Sequence, residues 1–344
     1  MALNRRDFLT GVGVSAATGA ASTAVAETAA PTSTPRLARE NLPLPPKAVG
    51  MLYDSTICIG CKACVDACKS ANGMPDEIPA KHRGWNVGQW DTPIDLSGRT
   101  LNVITAYRDG DMRQKDSETN GFAFMKRHCL HCVDPSCVSV CPVSAMKKDP
   151  ETGIVSHDPD ACIGCRYCVY GCPFGVPQYD LDGPFGQITK CQFCEHLQAR
   201  GEIPACCDVC PTGASLFGLV DDLQAEAERR LAAAPGSVYA FPRGRLGDDR
   251  PMHEDRIATY QRGVYGVKDG GGTQVRYLAG IPFAKLGLPT LPDYSYAAVA
   301  EGIQHTVYKW LIAPLIGFGI LAVFARRHMH RKADVSRKED GDAA

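Results

Sequence analysis

The stretch HCLHCVDPSCVSVCP fills residues 128–142, and CIGCRYCVYGCP fills residues 162–173. Together they carry Cys129, Cys132, Cys137 and Cys141, then Cys162, Cys165, Cys168 and Cys172. The second run is spaced C-x-x-C-x-x-C-x-x-x-C and closes on Pro173. The first keeps the same rule with two extra residues before its third cysteine, and it also ends in Cys-Pro. Two further groups flank this pair. CIGCKACVDAC at residues 58–68 supplies Cys58, Cys61, Cys64 and Cys68. Cys191, Cys194, Cys206, Cys207 and Cys210, followed by Pro211, form the last group.

This spacing is that of a bacterial ferredoxin run, in which three thiolates hold one four-iron cluster and the fourth reaches the neighbouring cluster. Gly60 lets the backbone wrap closely, so that its N–H groups can donate to sulfur. The chain has 17 cysteines, which in an exported protein first suggests disulfides. Disulfides tie distant segments together, whereas repeated C-x-x-C pairs point their sulfurs at one centre. Zinc needs only two such pairs and leaves the third cysteine and the trailing Cys-Pro of each run unexplained. In the last group one cysteine is surplus. Cys206 keeps the x-x-x spacing to Cys210 and is the expected ligand, with Cys207 a small buried neighbour. His128 and His131 stand beside ligands; packing, or a hydrogen bond to a sulfur, is expected of them rather than metal ligation.

The net charge is −1, which gives no reason to expect nucleic acid as a partner. Residues 1–26 read as a twin-arginine signal: Asn4-Arg5-Arg6-Asp7-Phe8-Leu9, an Ala/Gly-rich stretch, and a small-x-small site at Ala24-Val25-Ala26. The Gly11-Val12-Gly13 match to a dinucleotide fingerprint falls inside this segment and carries no weight. Residues 27–50 form a Pro-rich linker expected to lie extended on a surface.

A strand is expected over Met51–Ile57, a short helix after Cys64, another strand near Leu101–Tyr107, and a turn and strand through Asp149–Val155. Trp85 and Trp90 belong to an insertion over residues 72–121 with no chemistry assigned. Val220–Ala234 patterns as a helix with Leu223 and Leu231 inward, and with Glu226, Glu228, Arg229 and Arg230 in solvent. Residues 240–300 are expected to drape over the cluster domain or a partner, with Gly270–Gly272 as a plain hinge. Val307–Ala325 carries one charge, Lys309. It would reach about 28 Å, enough for a hydrocarbon core near 30 Å. Pro314 is tolerable there if a neighbour satisfies the freed carbonyl. His305 is expected to be a simple interfacial side chain. Arg326, Arg327, Arg331 and Lys332 follow and place the tail in the cytoplasm.

The chain resembles the four-cluster iron–sulfur electron-transfer subunits of the molybdenum-reductase type, the beta-subunit family. Cys58-Ile-Gly-Cys-Lys-Ala-Cys64, His131-Cys-Val-Asp-Pro-Ser-Cys137, Cys162-Ile-Gly-Cys-Arg-Tyr-Cys168 and Cys191-Gln-Phe-Cys194 carry the resemblance. Within the family, Gly270-Gly-Gly-Thr-Gln274, Ile303-Gln-His-Thr-Val-Tyr-Lys309 and the chain's own signal look most like the hydrogenase-2 type of iron–sulfur subunit. The resemblance implies an α+β fold of two pseudo-symmetric ferredoxin-like modules over residues 51–218. An extension (219–302), a transmembrane helix (303–326) and a charged tail (327–344) follow.

Four [4Fe–4S] clusters are then implied. Cluster 1 takes Cys58, Cys61, Cys64 and Cys210; cluster 2 takes Cys191, Cys194, Cys206 and Cys68. Cluster 3 takes Cys129, Cys132, Cys137 and Cys172; cluster 4 takes Cys162, Cys165, Cys168 and Cys141. The implied function is electron relay within a periplasm-facing nickel–iron hydrogenase. The partners would be its small and large subunits and a multi-span quinone-reactive membrane subunit. No catalytic site is expected in this chain. The beta subunit of a formate dehydrogenase or sulfur-compound reductase is the nearest alternative, and a non-redox zinc or disulfide scaffold a remoter one.

Overall fold

The computed structural model describes residue 35 and residues 37–75, 93–180 and 186–341, with side chains as far as residue 330. The twin-arginine stretch, Trp85 and Trp90, and the side chains of Arg331 and Lys332 lie outside the described residues.

The fold is mixed α+β. Its central sheet has strand Val49–Asp54 in the middle. That strand runs antiparallel to Ser215–Leu219, with Tyr53 opposite Ser215. On its other side it runs parallel to Val275–Leu278, with Met51 opposite Val275. Side chains alternate across a strand, and here the two faces do different work. Leu52, Leu216 and Leu278 point to one face and pack with Leu223 and Ala227 of helix Val220–Ala232. Met51, Tyr53, Phe217, Val275 and Tyr277 point to the other, into the larger core that contains the cysteines. Each fully buried leucine on the helix side contributes about 1.5–3 kcal/mol by leaving water.

Three expectations are revised here. Residues 240–300 do more than lie over the domain: strand Val275–Leu278 within them completes its central sheet. Gly270–Gly272 is no plain hinge, because Gly272 O accepts from Val133 N (2.9 Å) and Thr273 bridges Cys132. Helix Val220–Ala232 does not keep all its charges in solvent. Glu226 (2% exposed) and Arg230 (0%) are buried. Arg230 Nη1 lies 3.1 Å from Asp54 Oδ2 and its Nε 2.9 Å from Glu226 Oε1. A buried charge needs such pairing, and Asp54 on the central strand supplies it.

A second sheet pairs Val103–Arg108 antiparallel with Gly121–Arg127. Small hairpins, Met146–Lys148 with Val155–His157 and Gln178–Tyr179 with Ile188–Thr189, support the middle cysteine groups. Short helices follow the cysteines: Ala63–Ala71, Ser136–Ser139, Tyr167–Gly171, Glu195–Gln198 and Ala205–Asp208.

The proline-rich linker is tied down at Arg39. Its guanidinium bonds Asp134 at 2.7 and 2.9 Å and Glu301 at 2.6 Å. Ser295 Oγ also donates to Asp134 (2.6 Å), and Arg39 N donates to Ala298 O (3.1 Å). The last helix, Tyr296–Gly341, runs 46 residues and contains Pro314. It starts earlier than the expected span, and the charged tail continues it as helix to Gly341. Among the described residues it is the one helix long and apolar enough to cross a membrane. Trp310, Leu315, Phe318, Leu321 and Phe324 on it are exposed, as is His305.

Candidate metal centres

Each C-x-x-C turn is built the same way. The residue before the second cysteine is left-handed in all four groups: Gly60 (φ 69°), His131 (47°), Gly164 (69°) and Phe193 (57°). This turn reverses the chain tightly, so that successive sulfurs face one side and backbone amides follow them.

The turns deliver the sulfurs to shared cavities. Cys58, Cys61, Cys64 and Cys210 line one of them together with Tyr53, Ile104, Thr212 and Ser215. Cys68, Cys191, Cys194 and Cys206 line a second with Met51, Asn72, His128 and Phe193. Cys141, Cys162, Cys165 and Cys168 line a third with Met146, His157 and Ile188. Cys129, Cys132, Cys137 and Cys172 make the remaining set: burial drives the Cys132 thiol well above its usual range, and Cys172, Cys137 and Cys129 push it further. Three of the four sets named above each line a common space, and the members of the fourth are electrostatic neighbours of Cys132. Cys206 stands on a cavity wall, while Cys207 is fully buried in the apolar core.

These surroundings suit an iron–sulfur group in three respects. First, the thiols stand around a space rather than converge on a point. Among the described residues, no three His, Cys, Asp or Glu side chains are placed to hold a single metal ion. Secondly, burial pushes the Cys64 thiol up to about 12, with Lys126 opposing and Cys206, Cys58 and Cys210 adding to the rise. Crowded buried thiols of this kind become thiolates only when a metal core supplies positive charge. Thirdly, polar atoms stand orphaned at the walls. Among the described residues, neither ring nitrogen of His128 nor Nε2 of His157 has a hydrogen-bond partner, and each residue lines one of the cavities. An imidazole N–H there can donate to a cluster sulfur.

Other donors already point at thiols. Ser215 N lies 3.5 Å from Cys210 Sγ, and Phe193 N lies 3.4 Å from Cys191 Sγ. Asn72 Nδ2 lies 3.7 Å from Cys68 Sγ and 3.9 Å from Cys194 Sγ. His131 is a packing residue: its Nδ1 accepts from Val155 N (3.0 Å), and its ring meets Phe193 edge-on at 4.6 Å.

Sequence reasoning missed Asn72, His157, Ser215 and Lys126 as neighbours of the sites. Lys126 left a signal, since it is the one ammonium inside the apolar run Gly121–Met125 and its approach to Cys129. Helical spacing also marks Asn72, four residues after Cys68. Nothing local marks Ser215 or His157.

The 4Fe-4S dicluster domain family matches residues 121–220. The chain is 45% identical over 332 residues to the hydrogenase-2 operon protein HybA of Escherichia coli O157:H7, covering 95% of this chain and 96% of that protein. It is 32% identical over 288 residues to the iron–sulfur subunit of the nitrate-inducible formate dehydrogenase of Escherichia coli K12, covering 82% and 84%. Protein NrfC of Escherichia coli K12 is 34% identical over 247 residues, covering 71% of this chain and 92% of its own length. With its cysteines gathered into ferredoxin-type sets and these relatives spanning most of its length, the chain belongs to the family of HybA-like iron–sulfur proteins built on the 4Fe-4S dicluster domain.

Proposed function

We propose that this chain is the iron–sulfur electron-transfer subunit of a membrane-bound nickel–iron hydrogenase of the hydrogenase-2 type. The observation that carries the reading is the 45% identity to HybA over 95% of the chain. In it, the four cysteine sets hold four [4Fe–4S] clusters, with Cys206 rather than Cys207 as a ligand. Bound clusters supply one-electron transfer, and no group of this chain makes or breaks a substrate bond. The residues hold, space and insulate: thiolates fix each cluster, backbone amides and buried imidazoles donate to its sulfurs, and the apolar core excludes water.

Electrons would enter from the hydrogenase small and large subunits and leave to a multi-span quinone-reactive membrane subunit. Helix Tyr296–Gly341 anchors the chain, with the arginines after Ala325 on the cytoplasmic side and the cluster body on the periplasmic side. The twin-arginine segment at residues 1–26 accounts for export of a folded, cluster-loaded protein. The two-module division of residues 51–218 belongs to the same reading.

The test is purification of the tagged chain from membranes. Hydrogen-dependent reduction of a quinone analogue is expected to co-purify, with about sixteen irons per chain. Formate oxidation without hydrogen uptake would move the chain to the second reading, a formate dehydrogenase beta subunit, which its 32% identity to such a subunit keeps in view. Zinc in place of iron would reject electron transfer altogether.

A further inference from the structure

Lys126 lies near the end of strand Gly121–Arg127 and is 0% exposed. Its ammonium has one contact on each of two cavity walls. It donates to Ser215 Oγ at 3.0 Å and lies 3.6 Å from Met51 Sδ. Ser215 lines the cavity of Cys58, Cys61, Cys64 and Cys210, and its amide points at Cys210 Sγ. Met51 lines the cavity of Cys68, Cys191, Cys194 and Cys206. Among the described residues no carboxylate pairs with this ammonium. A buried cation with no carboxylate partner is costly unless negative charge lies close by. Loaded thiolate clusters on both sides would supply that charge.

We propose that Lys126 is the shared counter-charge of these two centres, setting the reduction potentials of both clusters together. The inference rests on the four-cluster reading. Adding one electron to either cluster, from its neighbour in the relay, adds one negative charge beside the ammonium. No bond forms or breaks and no proton moves. In a low-dielectric interior the opposite charge favours the reduced state strongly. One side chain touching both walls makes the two potentials rise or fall as a pair. The other two clusters lie outside its contacts.

The complex is to be purified with Lys126→Met, Lys126→Gln and Lys126→Arg, and its clusters titrated by electron paramagnetic resonance against applied potential. Both neutral variants should lose at least tenfold in the reduction equilibrium of two clusters, a fall of about 59 mV for a one-electron couple. The remaining two should hold their wild-type values, and Lys126→Arg should stay close to wild type throughout. Gln keeps a donor for Ser215 without the charge, so it separates charge from hydrogen bonding. Unchanged potentials in an iron-replete neutral variant, or an equal fall in all four clusters, overturns the proposal. Loss of iron from both neutral variants also overturns it, in favour of a packing role. Wild-type iron content and signal count test the four-cluster reading alone, before any variant is compared.

Discussion

At the scale of single residues, the left-handed turn before the second cysteine of each group is the repeating device. Two of the four positions use glycine and two do not. His131 and Phe193 each accept about 1–3 kcal/mol of backbone strain, offset by the Val155 hydrogen bond and by burial of the Phe193 ring. The two glycines are not equivalent. A Cβ on Gly60 would stand 2.5 Å from the Phe124 ring, whereas one on Gly164 meets nothing closer than 3.4 Å. Both alanine variants should pay for the left-handed backbone, about 1–2 kcal/mol. Gly60→Ala should lose more, measured as a lower midpoint in thermal unfolding and as less bound iron. A second comparison separates the adjacent cysteines. Cys206→Ser should lose one cluster signal, while Cys207→Ser should keep every signal and lose about 1–3 kcal/mol of stability by burying a hydroxyl. The ligand spacings were legible because sulfur placement around a cluster is decided within a few residues. Lys126 showed only as an ammonium beside an apolar run, and its role was not legible, since its burial depends on Met51 and Ser215, which reach it from strands far away in the chain.

At the scale of elements, legibility follows how local the stabilising contacts are. Strand Val103–Arg108 and helix Val220–Ala232 lie close to where propensity and pattern put them, while the strand expected over Met51–Ile57 runs earlier, from Val49 to Asp54, and turns at Ser55. The solvent face expected for that helix fails at Glu226 and Arg230. Periodicity treats a charge as an outward mark, but Arg230 is held inward by Asp54, 176 positions earlier. Tyr260 Oη also donates to Asp54 (2.8 Å), so several elements converge on one carboxylate beneath the sheet. Removing one partner of a buried pair leaves the other uncompensated. Arg230→Met should therefore cost about 3–5 kcal/mol, read as a shift of the denaturant midpoint, with the iron content of the folded fraction unchanged. Strand Val275–Leu278 escaped the reading for a similar reason. Its neighbour in the sheet is more than two hundred residues away, and the Gly- and Pro-rich residues around it resemble a loop.

At the scale of the whole molecule, the apolar span of the last helix from Val307 to Phe324 leaves its large side chains exposed, which is what a lipid-facing segment requires. A chain ending at Gly302 should leave the membrane fraction yet keep its iron and its hydrogen-dependent reduction of a soluble dye. Quinone reduction should be lost. The apolar run was plain in the sequence, while its early start at Tyr296 was not, because the first turns are placed by Asn41, Ser295 and Asp134 rather than by hydrophobicity.

Arg39 gives that junction a further property. A proline-rich segment near a chain end would ordinarily be the first to fray and the quickest to exchange its amide hydrogens. Here the amide of Arg39, the loop around Asp134 and the first turn at Ala298 are fastened to one another, and none can open while the other two stay closed. The three should exchange at a common slow rate, as one cooperative unit. Lys in place of Arg39, which cannot span both carboxylates, should split that rate in two, freeing the Arg39 amide from Asp134 and Ala298, which Ser295 still joins.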